Sequence, residues 1–200
     1  MPREIQTEVQ IANMALRILQ SSPIGSFTEE TLPAQTVRMY YDVVLRRCIG
    51  AHPWAFSAKE SELQQFPQSP IPRWKYAYHL PTDFVKLIWL RAGQESGANI
   101  QNYEIVSGDI LLTQIRPPAF IRYQYEAPVP LYPHYFIEFL VCSLVEELAA
   151  VFGHNLNTQA VYHQRIYGSY GALGLAIREE RRQNPQPIQR RPSRLALARE

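Results

Sequence analysis

Cysteine is almost missing from this chain: Cys48 and Cys142 are its only two in 200 residues. Each sits in an apolar helical pattern, which predicts buried free thiols, and a disulfide framework would need more of them. Lysine is nearly as scarce, with only Lys59, Lys75 and Lys86, so the basic charge is almost all arginine. The planar guanidinium makes bidentate contacts and is weakly hydrated, which suits interfaces. Long apolar runs are lacking too. The best candidate for a membrane span, near 136–145, is broken by Glu138, so no membrane partner is expected. The opening Met-Pro-Arg-Glu-Ile-Gln has no apolar signal core, and the expected setting is a reducing cytoplasm.

Catalytic constellations are lacking as well. None of His52, His79, His134, His154 and His163 stands at metal-ligand spacing from a Cys, an Asp or another His, so structural or surface roles are expected and no metal. No serine occupies a Gly-x-Ser-x-Gly elbow. The glycines at 168, 171 and 174 follow no strand, so they do not read as a phosphate loop. Read within one helix, they would share a face and allow close helix–helix approach. The carboxylates of Glu29/Glu30, Glu146/Glu147 and Glu179/Glu180 are adjacent, and neighbours on a helix point about 100° apart, which makes no acid/base pair. They are expected to be solvated or intersubunit charges. No catalytic residue and no cofactor is expected, and a hydrolase ranks last among the readings.

What is present is an unequal distribution of charge. Residues 178–200 hold seven arginines and three acids, a net of +4, while residues 1–177 hold 13 basic and 15 acidic groups, a net of −2. Such asymmetry points to a C-terminal stretch that meets an acidic partner. Arg178, Arg181 and Arg182 fall on neighbouring helical positions, where a solvated helix end is the plain alternative. Arg190, Arg191 and Arg194 follow among prolines, with no helix of their own to complement. The stretch has no stacking aromatics and no nucleic-acid signature, so an acidic protein groove fits it better than nucleic acid.

Hydrophobic periodicity predicts an α+β fold: an antiparallel helical bundle made from both chain ends, an inserted small antiparallel β-region and an extended C-terminal tail. Residues 1–53 form the first helical hairpin. It comprises a helix capped by Thr7, a stop at 21–25, and a second helix after Thr31 with Pro33 in its first turn. Residues 54–126 form the β-rich insertion, with extended segments at 54–63, 74–80, 84–90, 103–106, 110–113 and 120–125. Ser107-Gly108-Asp109 makes a tight turn in which Gly108 takes a positive φ. Residues 127–183 form the second hairpin: an extended Pro-rich link, a helix at 134–152 with Phe136, Leu140, Leu144, Leu148 and Val151 on its face, and a helix from Thr158 to about Gln183. That last helix has Val161, Ile166, Tyr170, Leu173 and Ile177 as inner positions. Residues 184–200 form the tail, whose 193–199 segment is too short to hold as an isolated helix. Trp54, Phe56, Trp74 and Tyr76 are assigned to the core.

Several stretches carry a resemblance. Ile11-Ala12-Asn13-Met14-Ala15-Leu16-Arg17-Ile18-Leu19, Ile24-Gly25-Ser26-Phe27, Ala34, Tyr41-Asp42 and Pro53-Trp54-Ala55-Phe56 resemble the head-to-tail adaptor proteins of tailed bacteriophages, the tail tubular protein A group of T7-like phages and prophages. Trp74-Lys75-Tyr76-Ala77-Tyr78, Leu80-Pro81-Thr82-Asp83, Tyr103-Glu104-Ile105-Val106 through Gly108 to Ile110-Leu111, and Leu195-Ala196-Leu197-Ala198-Arg199 continue it in order. The resemblance implies a structural virion protein made in the host cytoplasm. It would form a connector ring of about twelve copies in the neck, between the portal and the tail tube or nozzle. Duplex DNA would pass its lumen without sequence-specific contacts, which a weakly charged channel permits. It also implies portal docking by C-terminal segments, here Arg178, Arg181, Arg182, Arg190, Arg191, Arg194, Leu195, Leu197 and Arg199, ordering on contact. The competing expectation is a nucleic-acid-binding module that uses the Arg-rich C-terminal arm.

Overall fold

The computed structural model describes residues 7–67, 69, 71–93, 99–100, 102–152 and 156–185, with backbone alone at 156–158. The fold is α+β with two antiparallel sheets. Helices α1 (Glu8–Ile18) and α2 (Leu32–Ala51) precede the strands β1 (Ala58–Glu62), β2 (Gln64–Gln65), β3 (Tyr76–His79), β4 (Phe84–Ala92), β5 (Tyr103–Val106), β6 (Ile110–Thr113) and β7 (Ala119–Tyr125). Helices α3 (His134–Val151), α4 (Leu156–Tyr167) and α5 (Ala172–Gln183) follow.

Helix α1 begins at a capping box. The Thr7 hydroxyl accepts from the Gln10 amide at 3.3 Å, and the Gln10 side-chain oxygen accepts from the Thr7 amide at 3.2 Å, satisfying two donors that the first turn leaves open. It buries Ile11, Ala12, Ala15 and Leu16. Asn13 accepts from the Ile24 amide and donates to the Ile24 carbonyl, both at 2.8 Å, which fixes the chain's course into α2.

The end of α2 is tied down by side chains rather than left to water. Trp54 Nε1 donates to the Cys48 carbonyl at 2.9 Å, Gln124 Nε2 to the Ile49 carbonyl at 2.6 Å, and Lys86 Nζ to the Gly50 carbonyl at 2.5 Å. These three donors satisfy last-turn carbonyls that an α-helix leaves without internal partners. Because Lys86 lies on β4 and Gln124 on β7, the same bonds attach the helical part to a sheet. Cys48 is buried here and its thiol is pushed up to about 12 by that burial; Cys142 is buried as well, and both are free.

Helix α3 is apolar nearly all round, burying Phe136, Ile137, Phe139, Leu140, Val141, Cys142, Leu144, Val145, Leu148 and Ala149. Apolarity around a full circumference marks a helix that others surround. Accordingly α1, α2, α4 and α5 all pack on α3, whereas α1 and α2 touch each other little. Val151, expected on the inner face, is 43% exposed because it ends the helix.

The single helix expected from 158 to 183 is two helices. The chain breaks between Tyr167 and Ala172, and α4 starts at Leu156 rather than after a Thr158 cap. A β-carbon at Gly168 would lie 2.4 Å from the Gln164 carbonyl oxygen, and one at Gly171 would lie 2.3 Å from that of Ile166. These glycines therefore admit a reversal that a side chain would block, and they do not line a helix–helix contact. The reversal also turns residues outward: Tyr170 is 80% and Val161 54% exposed, against the inner positions expected, while Ile166 is fully buried.

In the β-region the longer strands fall on the expected segments, but 54–63 opens with a 3-10 turn at Ala55–Ser57, and the two-residue β2 at Gln64–Gln65 lies outside them. One sheet has the order β1-β7-β4 and the other β2-β3-β6-β5. The β5–β6 hairpin turns through Ser107 at φ 54° and Gly108 at φ 80°. Trp54 and Trp74 are buried, and Phe56 and Tyr76 pack half-buried against the helical and sheet cores.

Asp83 ties the first sheet together, accepting from Lys59 Nζ at 2.7 Å and from the Tyr123 hydroxyl at 2.9 Å. Burial acts to raise its pKa, but the bonds from Lys59 and Tyr123 outweigh it and hold the carboxyl below its ordinary value. A depressed folded pKa stabilises the protein above the unfolded value of about 3.9 and is lost as pH falls through the folded one. Between pH 7 and pH 3 the melting temperature should therefore fall less in Asp83→Asn than in the parent chain. Equal falls in thermal melts at both pH values would refute this role.

Candidate interaction surface

The expected docking residues divide into two groups. Arg178, Arg181 and Arg182 are exposed on α5, three and four positions apart and hence on one face. Arg178 lies over the Tyr170 ring at 5.7 Å, and Arg182 pairs with Glu179 at 2.9 Å. Arg190, Arg191, Arg194, Leu195, Leu197 and Arg199 lie outside the described residues.

What positions α5 is Glu180, 4% exposed. Its carboxylate accepts from the Ala55 amide at 3.0 Å, the Tyr135 hydroxyl at 2.5 Å and the Asn184 side-chain amide at 3.1 Å. The Tyr135 phenol is held well above its usual range by burial and by this bond. Nearby His52 is kept below its ordinary pKa by burial, which outweighs the attraction of Glu180. Glu180 is thus neither solvated nor intersubunit, as adjacency with Glu179 suggested, but a buried staple between α5, the start of α3 and the turn after α2.

The other paired acids also have partners inside the chain. Glu29 accepts from the Gly25 amide at 2.7 Å and the Ser26 amide at 3.1 Å. Glu146 meets His163 at 2.7 Å, and Glu147 pairs with Arg47. None of Glu29, Glu146 and Glu147 is therefore unpartnered among the described residues. No group of three metal-ligating side chains occurs among them either.

Two surfaces stand out. The outer face of α2 presents Leu32, Met39 and Val43, 64%, 70% and 66% exposed, along one line at helical spacing. Beside it lies an acidic group: Asp42 on α2, Glu8 at the start of α1, and Glu126 after β7, which pairs with Arg46 at 3.6 Å. Burial first, then the neighbouring charges of Asp42 and Glu126, push the Glu8 carboxyl above its ordinary pKa. The second is an open groove of about 540 Å³ between the strands, bordered by Glu62, Gln64, His79, Thr82 and Asp109. Its two formally charged lining residues, Glu62 and Asp109, are both acidic.

Glu180 and Gln124 are the site-shaping residues that sequence reasoning missed. A signal existed for Glu180, since four-residue steps from buried Ala172 and Ala176 land on it. No family model matches the chain, and no curated protein matches it.

Proposed function

We propose that the chain is a structural adaptor of a tailed bacteriophage or prophage, joining the portal to the tail tube or nozzle and acting by assembly rather than by catalysis. The observation that carries the reading is that residues of the resembling motifs occupy structural joints. Asn13 grips Ile24 through both backbone groups, Trp54 closes α2, and Trp74 donates to Glu104 at 2.9 Å. Motif residues with such interlocking roles support a shared architecture better than scattered identities would.

In this reading the helices from both chain ends form an antiparallel bundle that makes the wall of a ring. Copies meet side to side through heterologous contacts that close at about twelve. DNA passes the lumen without base contacts. Arg178, Arg181 and Arg182 on α5, with Arg190, Arg191, Arg194, Leu195, Leu197 and Arg199 beyond it, dock on the portal, and the segment that carries the last six orders there.

Mass photometry of the full chain mixed with the cognate portal tests this. A portal-sized species gaining several copies of the chain, and failing to gain them with R190E/R191E/R194E, is the expected result. Indifference to portal, with duplex DNA bound through the same arginines and released steeply by salt, would replace the adaptor with a nucleic-acid module.

A further inference from the structure

Two buried side-chain oxygens among the described residues have no hydrogen-bond partner, the hydroxyls of Tyr41 and Ser57. An unpaired buried hydroxyl is costly, so each calls for a reason. That of Tyr41, a residue only 1% exposed, ends among charges. Burial first, then Glu8, Tyr132, Asp42 and Glu126, hold its phenol well above the ordinary range. Glu126 and Glu8 act on the buried Tyr132 phenol as well. Two phenols and three carboxylates thus converge from the start of α1, the middle of α2 and the link between β7 and α3.

The guanidiniums of α2 leave most of this negative charge uncompensated. Arg46 reaches Glu126 at 3.6 Å while its side chain stays 67% exposed, and Arg47 is held by Glu147 of α3. Arg38 stands one turn before Asp42, yet neither it, nor Asp42, nor Glu8 makes an ion pair among the described residues. A water molecule could bond the Tyr41 hydroxyl, but it would leave the charge of the carboxylates as it is.

The arrangement selects among cations. No three metal-ligating side chains among the described residues could hold one ion, so these carboxylates stand too far apart for a metal. A lysine ammonium is likewise a compact, strongly hydrated point charge. A guanidinium is planar and weakly hydrated, and its fork of N–H donors spans separated acceptors and lies against phenol rings.

We infer that Glu8, Asp42 and Glu126, with the Tyr41 and Tyr132 hydroxyls behind them, form a site for an arginine side chain of another polypeptide. The carboxylates take its outer N–H groups, the half-buried Glu8 side chain swings aside to admit it, and the Tyr41 oxygen accepts the innermost N–H. The site stands apart from the adaptor reading, since it needs no portal and lies on α1 and α2 rather than on α5.

The test follows the Cζ signals of a ¹³Cζ-tyrosine chain by NMR, with Tyr41→Phe and Tyr132→Phe each removing one signal for assignment. The probe is N-acetyl-arginine methylamide at constant ionic strength, and N-acetyl-lysine methylamide is the control. The Tyr41 and Tyr132 signals should move saturably with the arginine probe, half-way in the millimolar range, and should need several-fold more of the lysine probe. The variant E8Q/D42N/E126Q should lose the response while its melting curve stays cooperative. Tyr41→Phe should weaken binding about fivefold, read at Tyr132. A dilution series without probe identifies the donor: a Tyr41 signal that starts at its probe-saturated position and leaves it on dilution assigns the arginine to a second copy, and one that never leaves its unbound position assigns it to a different protein. An equal, unsaturating drift with both probes overturns the proposal, as does a saturable response that survives in E8Q/D42N/E126Q. A Tyr41 signal that moves on Arg38→Gln as it does with the probe overturns it too, because the chain's own arginine would then fill the site.

Discussion

Replacing Trp54 with alanine is expected to lower the unfolding free energy by about 3–5 kcal/mol, a far larger loss than a substitution on the surface would bring. Trp54 is fully buried and its ring meets those of His52, Phe56, Tyr135, Phe136 and Phe139 at centroid separations of 4.9–6.4 Å. Truncation opens a cavity between α2 and α3 that these rings can fill only by leaving their own packing. It also strips the Cys48 carbonyl of its indole donor at the end of α2. Trp54→Phe keeps much of the ring volume but not that bond, and should cost less, about 1–3 kcal/mol. Urea titrations followed by far-UV circular dichroism separate the three proteins. A midpoint for Trp54→Ala within error of the parent would refute the assignment of this ring as the hub of the helical core.

Glu180→Ala should cost about 3 kcal/mol, because it leaves buried donors at Ala55 and Tyr135 with no acceptor. The loss should be uneven across the molecule. Amide exchange should quicken through α5 and around Ala55, while α1, held by its capping box and by α3, keeps its protection. Glu180→Gln preserves shape and one acceptor oxygen and should fall between the two. Uniform acceleration in every element would mean that Glu180 supports global stability only, and a cost under about 1 kcal/mol would mean that the staple contributes as little as a surface charge.

The elements were largely legible because their periodicities are strong. The Thr7 cap, the Pro33 start of α2 and the Gly108 turn each rest on local chemistry that tertiary context reinforces. Where the reading failed, the residue type alone did not announce the deciding contact. Glycines at 168 and 171 look alike whether they line a helix or break one, and only the position of the Gln164 and Ile166 carbonyls distinguishes the two. Adjacent acids likewise look solvated in sequence, and Glu180 is buried by partners 45 and 125 residues away. Of the surface, the basic C-terminal stretch was readable from composition. The α2 face was readable only by exclusion, since Met39 and Val43 fall off the stripe of Val37, Tyr41, Val44, Leu45, Cys48 and Ile49 that the helix buries.

The central place of α3 has a consequence for how the chain is born. Translation delivers α1 and α2 first, with Ile11, Leu16, Val37, Val44 and Leu45 bare, yet the surface they bury against begins only at His134. The interval from residue 53 to residue 134 is 81 residues, about 4–16 s at ordinary elongation speeds. During those seconds the N-terminal segment is an orphan on the ribosome, so nascent-chain holdases and the pace of decoding through the β-region govern the yield of folded protein.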